Sequence, residues 1–146
     1  AIPLKTGTEF QEVKQLFGDL RYTLASRHTT QQMNRVDQPG YLYMLSYIPL
    51  SERNHWRGAP HSWQKRPLFR DKSIPIINDM RQYIVNLVKT GNPNSIGLPD
   101  WPPVATGKIP WMMFGDKPKV ELDIWQEKLD LLQRVYEHRI TPMVPQ

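Results

Sequence analysis

Apolar side chains follow two rhythms along this chain. Over residues 74–90, Ile76, Ile77, Met80, Tyr83, Ile84, Leu87 and Val88 recur at helical spacing and form one broad stripe. Ser73 is a candidate N-cap, and Pro75 sits in the first turn, where a missing N–H costs nothing. Gly91 and Pro93 supply the stop. Residues 41–47 are instead apolar and β-favouring without strict alternation, which predicts a strand buried on both faces of a helix-covered parallel sheet.

Three weaker helical patterns flank these. The first covers 9–17, capped by Thr8, with Phe10, Val13, Leu16 and Phe17 on one side and Gly18-Asp19 as its break. The second, over 26–36, is mostly polar and is expected on the surface. The third runs to about His138 and opens on a capping-box pair, Asp123 and Gln126, with Trp125, Leu129, Leu132 and Tyr136 on one face. Gln38-Pro39-Gly40 reads as a turn. Residues 109–115 and 119–122 pattern as a short hairpin about Asp116-Lys117-Pro118.

This inventory predicts an α/β fold with a difficulty. A lone buried strand needs neighbours for its backbone N–H and C=O groups. The sheet's other strands are therefore expected elsewhere, and the chain, 1–146 without an internal boundary, is expected to be a segment of a larger α/β domain. The stretch 48–72 is polar and reads as one long loop, a kind that tends to be functional.

Composition changes this picture little. The chain has 146 residues, 39% hydrophobic and 23% charged, which is ordinary globular usage. Its 14 prolines are roughly twice the usual share of about 5%, and they gather in connections. Without Cys there are no disulfides within the chain and no Cys-based metal sites. No apolar run approaches the ~18 residues that span a membrane, and the first residues lack a signal-peptide pattern. The compartment stays open.

Charge is more local. Of the net +5, most sits in 51–72, where Arg53, Arg57, Lys65, Arg66, Arg70 and Lys72 face only Glu52 and Asp71. Trp56, Trp63 and Phe69 interleave with these cations, as in some nucleic-acid binders. The plainer reading is that the charges are solvated or meet acidic residues of a partner, and no nucleic-acid ligand is expected.

Among the four histidines, His28 falls on the polar helix and reads as solvated. His138 falls in a last helical turn, where a cation suits the dipole. His55 lies beside Trp56 in the long loop. His61 ends Gly58-Ala59-Pro60-His61 on a loop after the strand pattern, where α/β folds place their chemistry. Imidazole as a class titrates near ~6.5, so it can take and return a proton at neutral pH. His55 and His61 lack metal-ligand spacing, so neither a metal nor a cofactor is expected. Ser46, Ser51 or Ser62 with His61 and Glu52 or Asp71 would compose a triad on paper. None of these serines stands in a Gly-x-Ser-x-Gly elbow on a strand-to-helix turn.

The ordered set Phe17-Gly18-Asp19, Tyr41-Leu42-Tyr43, Gly58-Ala59-Pro60-His61, Met80-Arg81-Gln82-Tyr83, Lys89 to Pro93 and Trp101-Pro102-Pro103, with the Trp125-led helix, resembles the C-terminal part of the type-B, cholinesterase-like carboxylesterases. The resemblance implies an α/β-hydrolase fold, mostly a parallel sheet covered by helices. It also implies a Ser-Glu-His triad in which His61 is the general base. The Ser, the acid and the oxyanion hole would lie on an N-terminal part of the same esterase, the expected partner, with a small ester as substrate. By itself the chain would be inactive. Trp56 and Trp63 are candidate substrate-binding residues. The basic run after His61, Ser62-Trp63-Gln64-Lys65-Arg66, departs from the family's usual acidic or neutral residues. It is expected to favour substrates with a negative group or to dock on an acidic surface. A non-catalytic adhesion domain on the same fold and a stand-alone basic module are the competing expectations.

Overall fold

In a computed structural model, residues 8–140 are described, apart from 57 and 106. They fall into two compact units: residues Tyr41–Asp123, and a helical unit drawn from the chain up to Gly40 and from Ile124 onward.

The Tyr41–Asp123 unit holds the sheet. Strand β1 (Leu42–Leu45) runs parallel to β2 (Pro110–Phe114), with Leu42 opposite Trp111 and Leu45 opposite Phe114. β2 pairs antiparallel with β3 (Pro118–Leu122). Pro110 and Pro118 each open a strand, where the missing donor is tolerated. β1 thus finds in β2 the parallel neighbour that the sequence did not supply. The hairpin was expected but its pairing with β1 was not, because parallel partners share no local turn signal. β1 is shorter than 41–47, and Tyr43 is 42% exposed, so the strand is not buried on both faces.

Helices occupy the crossover. The stretch 48–72 is not structureless: it contains a 3-10 turn (Leu50–Glu52) and a short helix α3 (Lys65–Arg70), numbered after the two helices of the other unit. α4 (Pro75–Thr90) follows, with Pro75 at its start and Gly91 at φ +74 as its stop. Ser73 is not its cap. Its Oγ and N donate to Asp71 Oδ1 at 2.6 and 2.8 Å, and they hold that carboxyl below its ordinary range, aided by Arg81.

The α4 stripe buries Ile76, Ile77, Met80 and Tyr83 against Met112, Phe114 and Trp101. Trp101 is the hub. Its ring meets Tyr41, Tyr83 and Phe114 edge-on at centroid distances of 5.7, 5.4 and 5.9 Å. Edge-to-face pairs of this kind add to simple area burial. Its indole N–H donates to Leu42 O at 3.1 Å. Asn94 fixes its backbone, accepting from Trp101 N at 2.7 Å and donating to Trp101 O at 3.0 Å. Tyr83 Oη donates to Pro99 O. Burial, then the Asp79 and Asp100 carboxylates, push this phenol up to about 12, so it stays a donor.

The helical unit departs further from expectation. α1 (Thr8–Gly18) does not end at Gly18-Asp19 but runs through a π-helical segment (Asp19–Thr23) into α2 (Leu24–Asn34). Gly18 keeps right-handed helical angles. Asp19, 1% exposed, accepts from Gln15 Nε2 at 3.0 Å and Lys128 Nζ at 2.7 Å. α2 is not a solvated helix: Leu24, Arg27 and Thr30 form its buried face. α5 (Gln126–Ile140) contributes Asp130, which pairs with Arg27. Asp123 does not act as expected at the start of α5; its Oδ1 accepts from Ile109 N at 2.7 Å within the sheet unit. On the expected α5 face only Leu129 is fully buried, while Trp125 and Tyr136 are exposed.

Candidate functional site

The chemistry-bearing residues lie on the segment between β1 and α4. α3 meets α4 through Leu68, which packs against the core, and through Arg81. Arg81 donates from Nε to Leu68 O at 2.7 Å, and from Nη2 to Pro67 O and Asp71 O at 3.1 and 2.8 Å. The last carbonyls of a helix have no partners within it, and a guanidinium fork satisfies them and suits the dipole. The apolar grip of α4 on the sheet thus extends to α3.

His61 stands at the entrance to α3. Trp63 N donates to Pro60 O at 3.0 Å, closing a tight turn with His61 and Ser62 at its centre. Ser62 has φ +65, the left-handed value that a type II turn requires at that position. Such backbone in a non-glycine residue is held only by its surroundings. Lys65 N donates to Ser62 O at 3.1 Å, joining the turn to the helix. The His61 side chain is exposed.

A cleft of about 320 Å³ opens where β1 and β2 end. Both strands are parallel here, and Ser46 N and Tyr47 N each donate to Phe114 O at 3.0 Å, tying the two strand ends together. Tyr47, Ile48, Arg53, Trp56, Gly115 and Asp116 line it with Ser46. Trp56 therefore reaches a cleft. Trp63 is half-buried and packs on Tyr47 at 5.9 Å between ring centroids, so it supports the cleft wall through Tyr47. His61 is not among the lining residues, and neither are Lys65 and Arg66, which are exposed on α3. Arg53 and Asp116, which pair there, were not singled out in the sequence. Their positions in a basic loop and a hairpin turn were visible, but their pairing was not.

Of the other histidines, His55 and His138 are exposed, while His28 is half-buried rather than solvated, its Nδ1 shielded and without a hydrogen-bond partner among the described residues. Among the described residues no cluster of three or more His, Asp or Glu is placed to hold a metal ion, and no helix is long and apolar enough to cross a membrane.

Residues 4–132 match the carboxylesterase family. Among solved structures the chain is similar to an esterase from anaerobic Clostridium hathewayi that can hydrolyse aliphatic aromatic polyesters. The TM-score is 0.63 at 17% identity, over 85% of this chain and 29% of that one. It is also similar to a PNB esterase, with a TM-score of 0.55 at 19% identity over 64% of this chain and 21% of that one. At such identities the likeness is one of fold, and the chain spans under a third of either structure's length. No curated protein matches the chain.

Proposed function

The chain belongs to the carboxylesterase family, and we propose that it forms the C-terminal part of a serine carboxylesterase in which His61 is the general base. The observation that carries this reading is His61 on a constrained turn in the crossover that follows β1, within the residues that match the family. The nucleophilic Ser, the acidic triad member and the oxyanion donors belong to an N-terminal part of the same enzyme. The sheet unit would then join a larger α/β-hydrolase sheet.

The reaction is acyl transfer. His61 takes the proton of the serine hydroxyl as its oxygen attacks the ester carbonyl. It returns that proton to the departing alkoxide, leaving an acyl-enzyme. His61 next takes a proton from water, whose oxygen attacks the acyl carbon, and gives it back to the serine as the acid leaves. Each oxyanion donor of the partner would supply about 2.7–4 kcal/mol of transition-state stabilisation. Trp56 would cover the apolar part of a substrate, with Trp63 behind it.

Hydrolysis of a 4-nitrophenyl ester by this chain, by the N-terminal part and by the two together tests the reading. Neither part alone should turn over, and the pair should. His61→Ala in the pair should lower the rate by at least about 10³-fold. Turnover by the chain alone, or an unchanged rate with His61→Ala, would overturn it. A silent pair would favour a binding protein on the same fold.

A further inference from the structure

The geometry points to the cleft at the ends of β1 and β2 as a binding site for an aryl carboxylate, with the carboxylate on Arg53 in place of Asp116. This goes beyond the role of His61 and does not depend on it.

Arg53 is preset as an anion receptor. Its Nε donates to Ile48 O at 3.0 Å, which fixes the plane of the guanidinium at the cleft. Its Nη2 is paired with Asp116 Oδ1. Arginine's planar fork suits carboxylates in particular. The carboxylate now paired with it is a replaceable one. Asp116 sits in the turn between β2 and β3, and its side chain is 69% exposed. Exposed ion pairs of this kind hold their partners weakly. A ligand carboxylate would repeat the Asp116 contact and bring additional apolar contact with it.

The rest of the lining selects the body of the ligand. Tyr47, Ile48 and Trp56 give aromatic and aliphatic surface, and Trp56 is 48% exposed, leaving ring area for a ligand to cover. The volume, about 320 Å³, lies at the small end of ligand pockets, about 300–1,000 Å³, which fits one ring with a short substituent. Gly115 and Ser46 approach each other in the lining: a Cβ added to Gly115 would stand 3.4 Å from Ser46 Oγ. A cation directed at Asp116 is the weaker match, because cations outnumber carboxylates six to two over 51–72. Among the described residues Arg53 is the cation that lines the cleft, so the anion preference falls to it rather than to Lys65 and Arg66.

The test is a ¹⁹F NMR titration of the full chain with 4-fluorobenzoate and its uncharged isostere 4-fluorobenzamide. The wild-type chain should bind the benzoate about tenfold or more tightly than the amide. Arg53→Gln should abolish that preference while leaving amide binding within about twofold. Asp116→Asn removes the competing carboxylate and should tighten benzoate binding by about two- to threefold. A gain of affinity cannot come from a folding failure. Equal affinity for the two probes, a preference that survives Arg53→Gln, or weaker benzoate binding by Asp116→Asn would each overturn the assignment.

Discussion

The two units differ in how much polar chemistry they bury: beside Leu24 and Leu129, the helical unit encloses several polar groups. The sheet unit closes over aromatic and aliphatic side chains around Trp101. The helical unit buries Asp19, Thr23, Arg27 and Thr30, yet leaves Phe10, Val13, Leu16 and Phe17 of α1 exposed. Two of these rings meet cations of their own helical run instead: Lys14 lies over Phe10 at 4.8 Å and Arg21 over Phe17 at 5.7 Å. A helical apolar stripe therefore marks a core only where the fold supplies a facing surface. α4 has one, and α1 does not among the described residues.

The largest expected effect breaks the hub. Trp101→Ala should cost about 3–5 kcal/mol of unfolding free energy, read by urea denaturation. The indole fills space among Tyr41, Tyr83 and Phe114, and its N–H serves Leu42 O. A loss under about 1 kcal/mol, the ordinary size for a point change, would mean that the aromatic cluster is not the keystone of its unit.

The helical unit calls for a two-step test. Arg27 is 5% exposed; among the described residues its Nη2 is engaged on Asp130, while Nε and Nη1 are buried without partners. Asp130→Ala leaves this guanidinium buried and unpaired, which should cost about 3 kcal/mol. Adding Arg27→Met should recover most of that loss, since a buried pair contributes little net stability over an apolar replacement. If the double variant is as unstable as the single one, the polar interior has a structural value beyond the pair.

What the sequence disclosed divides along the same line. α4 was readable from its stripe, Pro75 and Gly91, and the hairpin from its turn, because each signal is local. The parallel pairing of β1 with β2 was not, since a 3-10 turn, α3, α4 and their connections separate the partners. The helix break at Gly18-Asp19 was misread because Asp19 finds Lys128, 109 residues away, and is buried within a continuous helical run. His61 was singled out from its setting after the strand, and it does not line the cleft. Trp56 was named, but Arg53 and Asp116, 63 residues apart, became a pair only when the parallel strands brought their loops to one cleft.

The smallest expected effect decides whether the α1 face is truly uncovered in this chain. Phe17 is 57% exposed and Phe114 is fully buried, so the same residue type stands in both settings. Phe17→Ser removes a ring that already contacts water, and its loss should change stability by no more than about 0.5 kcal/mol. Burial, not residue type, sets the cost of truncating a side chain, because only covered atoms lose transfer energy and leave a cavity. A loss of several kcal/mol from Phe17→Ser would show that the α1 face is covered in solution. The contrast between the units would then lie in what covers α1, not in the chemistry that each interior accepts.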